Sequence, residues 1–126
     1  MMKILIVDDS NLERKLLSSL IKKNGIENEV LQAENGEVAL QILASNYKDI
    51  CLILLDWQMP VMSGIEFMEG VVKVPQVATI PIVMVSASGS EENKKKARDT
   101  NPNLAGYVVK PYKPEDLLSV IRPHVK

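Results

Sequence analysis

Five positions carry the side chains with chemical potential: Asp8 and Asp9 directly after the apolar run Ile4–Val7, Asp56 after Cys51–Leu55, Ser86 after Ile82–Val85 and Lys110 after Tyr107–Val109. A carboxylate at the end of a buried run is costly to desolvate unless a partner compensates it. Three carboxylates brought together without a counter-ion repel one another and resist joint ionisation. A cluster of Asp8, Asp9 and Asp56 therefore calls for a hard divalent cation with oxygen ligands, magnesium before others and manganese as the alternative. Three carboxylates carry three negative charges, while one divalent cation and one lysine carry three positive ones. The neutral sum admits a dianionic phosphoryl group. In that setting Asp56 can act as a nucleophile that forms an aspartyl phosphate, Lys110 and the metal stabilise charge on the phosphoryl oxygens, and Ser86 donates a hydrogen bond to one of them.

Each residue taken singly has a plainer explanation: Asp9 as a helix cap, Asp56 as the close of a turn before Pro60, Ser86 as the cap of a later helix, Lys110 as a solvated lysine before a proline. Four separate run ends all carrying the required type argue for a common purpose.

Convergence requires that the runs be parallel strands. The runs Ile4–Val7, Val30–Ala33, Cys51–Leu55, Ile82–Val85 and Tyr107–Val109 are continuous, as strands covered on both faces are. Helical patterns lie between them. Leu12, Leu16, Leu17, Leu20 and Ile21 form one apolar face of a helix that Ser10 and Glu13 open as a capping box and Gly25 closes. Val38, Ala39, Ile42 and Leu43 do the same after Asn35, and Leu117, Leu118 and Ile121 after Pro114. The alternation predicts a doubly wound α/β sheet with helices on both faces and a ligand crevice beyond the carboxyl ends of its strands. One stretch departs from the pattern: "SEENKKKARDTNPN", from Ser90 to Asn103, offers only Ala97 and Pro102 as apolar residues, so its helix should be short and loosely docked or mobile.

At 126 residues and 46% hydrophobic content the chain fits one domain, 1–126, with a single hydrophobic interior and no room for a second. With 15 Lys+Arg against 16 Asp+Glu, no global field advertises nucleic acid or an anionic membrane as the partner. The lone Cys51 reads as a small buried hydrophobe and rules out an internal disulfide or a four-ligand zinc site. Neither a signal peptide nor a membrane-length run is present, so a cytoplasmic location is expected. The two opening methionines are what a native or nearly native amino terminus would show.

Four blocks, "ILIVDDS", "LLDWQMPVMSG", "VMVSA" and "GYVVKPY", resemble in order and spacing the receiver domains of two-component response regulators, especially the single-domain chemotaxis type. The resemblance covers the whole chain. It implies a flavodoxin-like (βα)5 sandwich with strand order 2-1-3-4-5, an order known for this fold class. It also implies a set of roles. Asp56 would be the phosphoacceptor, Asp9 a direct magnesium ligand, Asp8 a ligand acting mainly through water, and the Gln58 backbone carbonyl a further ligand. Ser86 and Tyr107 would be the switch pair, Lys110 the phosphoryl clamp with a cis bond to Pro111, and Gln58 and Ser88 the positions that tune phosphoryl lifetime. The implied partners are a sensor histidine kinase or phosphotransfer protein, a phosphatase, and a downstream effector bound through the face made by the fourth helix, fifth strand and fifth helix. Lone receivers of this kind are usually monomers. The polar Ser90–Asn103 stretch stands where the family usually has a better-packed fourth helix; its Lys94, Lys95, Lys96 and Arg98 would make that face basic and suited to an acidic segment.

Other functions fit less well. Phosphatases with an aspartate nucleophile place a second aspartate two positions later as general acid, and here that position is Gln58. The glycines form no nucleotide-binding motif, and the only histidine, His124, lies near the end of the chain. A phosphorelay shuttle, or a receiver excised from a longer regulator, would share the same sequence features.

Overall fold

The computed structural model describes residues 2–126, which leaves Met1, the first of the two opening methionines, outside the described residues. Five strands, β1 (Lys3–Val7), β2 (Val30–Ala33), β3 (Ile50–Leu55), β4 (Ile82–Ser86) and β5 (Gly106–Val109), form one sheet in the order β2-β1-β3-β4-β5, and every pairing is parallel. Four helices connect them, α1 (Asn11–Lys23), α2 (Gly36–Asn46), α3 (Gly64–Val72) and α4 (Glu91–Thr100), and α5 (Pro114–Ile121) follows β5.

Strand side chains alternate between two apolar layers. Leu5, Val7, Ile53, Leu55 and Met84 face α2, α3 and α4, where Ala39, Leu43, Phe67, Met68, Val71 and Ala97 meet them. Ile4, Ile6, Leu52, Leu54, Val83 and Val85 face α1 and α5, where Leu17, Ile21, Leu117, Leu118 and Ile121 meet them. The central strands β1, β3 and β4 are covered on both sides. The edge strands are not: β2 buries only Ala33 and exposes Gln32, and β5 buries only Val108, because an edge strand lacks neighbours on one flank.

The helices depart from the sequence reading in instructive ways. In α1 only Leu17 and Ile21 are buried, whereas Leu12 and Leu16 are 66% and 52% exposed. At about 100° per residue the Leu12–Leu16 line lies more than a third of a turn from the Leu17–Ile21 line, and only the latter meets the sheet. The Ser10–Glu13 capping box is half formed. Ser10 Oγ accepts from the Glu13 amide at 3.2 Å, but the Ser10 N–H donates to Asp8 Oδ1 at 2.9 Å, so the Glu13 carboxylate has no backbone amide to return to. A complete box opens α3 instead, between Ser63 and Glu66. Gly25 closes α1 with φ +81°, the left-handed conformation its lack of a Cβ permits.

The polar Ser90–Asn103 stretch forms a regular ten-residue helix, capped by Ser90, that buries Ala97 alone. Asn101, just past it, is 3% exposed and accepts from the Asn103 amide. The basic surface expected there is partly neutralised within the helix: Lys94 pairs with Glu91 at 3.7 Å and Lys95 with Asp99 at 2.7 Å. At the opposite end of the sheet from the acidic residues, Asn28 is 5% exposed, and its Nδ2 donates to both the Met2 carbonyl and the Lys126 carbonyl.

Candidate active site at the carboxyl rim of the sheet

Parallel pairing puts the carboxyl ends of β1, β3, β4 and β5 on one rim, and the residues beyond them line one cleft of about 410 Å³. Its walls include Asp8, Asp9, Glu13, Asp56, Gln58, Ser86, Ser88 and Lys110. The structure thus brings together the sequence-selected positions Asp8, Asp9, Asp56, Gln58, Ser86, Ser88 and Lys110. Tyr107 lies behind them, half-buried on β5.

Asp8, Asp9 and Asp56 each offer a carboxylate oxygen, all within 4.8 Å of one another. They differ in what already holds them. Asp8 is 2% exposed and pinned on every side: its N–H donates to the Ala33 carbonyl at 3.1 Å, Oδ1 accepts from the Ser10 amide, Oδ2 accepts from Lys110 Nζ at 3.0 Å, and its carbonyl accepts from Arg14. Asp9 is exposed and Asp56 intermediate, which leaves their oxygens available. Hard oxygen donors at this spacing fit a divalent cation, with Asp9 and Asp56 the more open members of the cluster and Asp8 the fixed one.

Lys110 is the counter-charge. Its Nζ lies 3.0 Å from Asp8, 3.6 Å from Asp56 and 3.9 Å from Glu13. Burial acts to lower its pKa, yet the hydrogen bond to Asp8 and the charge of Asp56 outweigh burial and hold it above the ordinary lysine value. Asp56 goes the other way for a carboxyl. Burial first and the Asp8 charge second push it from 3.8 up to about 6, against the opposing pull of Lys110. A carboxylate so placed gains from any added cation.

The loop after β3 fixes Asp56. The Asp56 N–H donates to the Val7 carbonyl at 2.9 Å, and Gly64 N–H donates to the Trp57 carbonyl at 2.8 Å. A Cβ on Gly64 would stand 2.3 Å from the Asp56 carbonyl oxygen, so the loop can fold back only over a glycine. Within the loop Val61 takes φ +70° while 73% exposed, a left-handed conformation rarely adopted by a β-branched residue.

On the other side, Ser86 is 2% exposed and its Oγ accepts from the Ser88 amide at 3.1 Å. It caps no helix; Ser90 does. Tyr107 Oη donates to the Ser88 carbonyl at 2.6 Å, and Asn93 Nδ2 donates to Ser88 Oγ. Ser88 therefore ties Ser86, Tyr107 and the first turn of α4 together. The Lys110–Pro111 bond is cis. Beside the cleft runs an apolar groove of Leu16, Leu20, Pro111, Tyr112 and Pro114, which shares Glu13, Ala87 and Lys110 with it. Sequence reasoning missed Arg14, Asn93 and Val61. No local pattern marks a long-range hydrogen bond or a positive φ at valine.

The sequence matches the family model for the response regulator receiver domain over residues 4–122. The chain belongs to the response regulator receiver domain family. Among curated relatives it is 34% identical to a chemotaxis protein CheY homologue of Campylobacter jejuni, over 92% of this chain and 86% of that protein. Among solved structures, the Vibrio cholerae chemotaxis protein CheY4 is similar with a TM-score of 0.85 and 33% identity, over 98% of both chains. The CheX–CheY–BeF3–Mg complex of Borrelia burgdorferi contains a chain similar with a TM-score of 0.85 and 26% identity, over 97% of this receiver and 87% of that chain. Among the described residues, no helix is long and apolar enough to cross a membrane.

Proposed function

We propose that this receiver is a magnesium-dependent phosphorylation switch in which Asp56 is the phosphoacceptor. The observation that carries the reading is the arrangement around Asp56: two aspartates close enough to share one cation with it, and the Lys110 ammonium at 3.6 Å. An Asp56 carboxylate oxygen attacks phosphorus. The bond from phosphorus to the donor breaks, an imidazole nitrogen in a phosphohistidine or the acetate oxygen in acetyl phosphate, and the donor leaves with the electron pair. When bound, the divalent cation supplies positive charge that offsets the carboxylates and the phosphoryl oxygens. Lys110 holds one phosphoryl oxygen, and Ser86 donates its hydroxyl to another as it releases the Ser88 amide. Tyr107, bonded to the same Ser88, is placed to follow. Gln58 would lend its backbone carbonyl to the cation, and the side chains of Gln58 and Ser88 border the path of the water that ends the signal.

The exposed Leu12 and Leu16 and the adjoining apolar groove give a protein phosphodonor, a histidine kinase or phosphotransfer protein, a surface on which to rest. The names of the Campylobacter and Vibrio relatives favour chemotaxis as the process. The downstream partner would read the surface of α4, β5 and α5. Incubation with acetyl phosphate and magnesium, followed by intact mass measurement, tests the core of the reading. A single phosphoryl adduct should form and should vanish in Asp56→Asn and in chelator. A wild-type protein that stays unmodified under a fast quench, with a phosphorylated kinase as well, refutes it.

A further inference from the structure

Arg14 is half-buried on the first turns of α1, and the phosphoryl-transfer reading leaves it unused. Among the described residues it forms no ion pair. Its guanidinium instead makes three neutral contacts from three nitrogens: Nη1 to the Asp8 carbonyl, Nη2 to Asn11 Oδ1 at 3.2 Å and Nε to Gln32 Oε1 at 3.1 Å. Those acceptors belong to the turn after β1, the first residue of α1 and the edge strand β2. We infer that Arg14 is a positioning residue for the cation site: it clamps the β1–α1 turn so that Asp8 and Asp9 present their carboxylates toward Asp56.

The geometry supports this in two steps. Asp8 and Asp9 follow the last residue of β1 and precede the cap of α1; the Asp8 side chain is held by the Ser10 amide and Lys110, while the backbone carbonyl of the same residue is held by Arg14. The Asp8 carbonyl stands where the chain leaves the sheet, and Arg14 takes it. A rigid planar fork can hold three acceptors in fixed relation, which a lysine ammonium on a flexible stem cannot. Partners that orient a metal ligand govern affinity without touching the metal.

Electrostatics alone predicts the opposite outcome, which makes the inference testable. A positive charge near the cleft opposes a cation, so its removal should tighten binding if Arg14 acts only through charge. The inference rests on the proposed cation site, and the experiment separates the two. Magnesium is titrated against the fluorescence of Trp57, which adjoins Asp56, in wild type and in Arg14→Lys, Arg14→Gln and Gln32→Ala, each checked for folding by near-ultraviolet circular dichroism. Loss of positioning should weaken magnesium about 10-fold in both Arg14 variants alike, and by a smaller factor in Gln32→Ala. Wild-type affinity in Arg14→Lys, or tighter binding in Arg14→Gln, overturns the inference. Should the Arg14 variants fail to fold, unchanged affinity in Gln32→Ala overturns it instead. No response in wild type would remove the cation site itself.

Discussion

Lys110 donates to Asp8 at 3.0 Å and stands 3.6 Å from Asp56, so the buried Asp8 carboxylate is better compensated than the one proposed to react. Burial first and the Asp8 charge second push the Asp56 carboxyl up to about 6, and Lys110 at this distance offsets them only in part. The folded state binds that proton more tightly than the unfolded chain does. Stability from this group is thus complete below pH 4 and is lost as pH rises through about 6.

Asp56→Asn should therefore stabilise the metal-free protein at pH 7.5, by about 1 to 3 kcal/mol, since it removes a charge that the fold disfavours. Urea unfolding in the presence of chelator measures it. Equal or lower stability in the variant would show that Asp56 is compensated by contacts other than those described.

Magnesium should reverse the pH trend. A cation binds the ionised carboxylates of the folded state and finds little to bind in the unfolded chain, so millimolar magnesium should raise the melting temperature. The rise should be large at pH 8 and small at pH 5, where a proton on Asp56 competes with the metal. A rise independent of pH would place the metal elsewhere.

Lys110→Ala strands the Asp8 carboxylate, 2% exposed, with only the Ser10 amide as partner. Removing one member of a buried pair leaves an uncompensated charge and should cost about 3 kcal/mol without metal. Magnesium should recover more stability in this variant than in wild type. Calorimetry with and without magnesium distinguishes this from a simple packing loss, which the metal would not repair.

Val61 offers a gain. Its left-handed φ costs about 1 kcal/mol or more for a side chain that is 73% exposed and so contributes little burial. Val61→Gly should raise stability by roughly that amount despite the greater freedom of glycine in the unfolded chain. A loss of stability in the same unfolding assay would show that the valine side chain contributes something its exposure conceals.

Helix α4 buries Ala97 alone, whereas α3 buries Ile65, Phe67, Met68 and Val71. Amide protons of α4 should exchange with solvent at least about tenfold faster than those of α3. Equal protection would mean that the ties of Ser88 to Asn93 and Tyr107 hold the helix as firmly as a packed face.

The sheet and the convergence of its strand ends were legible because continuous apolar runs impose strands, and because parallel order follows from their alternation with helices. Leu12 and Leu16 were grouped on one face with Leu17 and Ile21 since hydrophobicity marks a helical stripe without saying which part of it meets the sheet. The Ser10–Glu13 box was half right because Asp8, a residue outside the motif, captured the Ser10 amide first. Arg14 and Asn93 left no trace in periodicity, for their acceptors are fixed by the tertiary fold. Gly64 was legible as part of a motif, but the reason for it, contact with the Asp56 carbonyl, needed coordinates.

The amide of Asn28 grips the carbonyls of Met2 and Lys126 together, on the side of the sheet remote from the acidic cleft. Both described ends of the chain thus leave the fold at one spot. Such a unit can be closed head to tail by a short linker and reopened at another loop, or spliced into a surface loop of a host protein with both junctions side by side. In that setting its carboxyl rim would still point outward, as a detachable input for a host with no signalling history of its own.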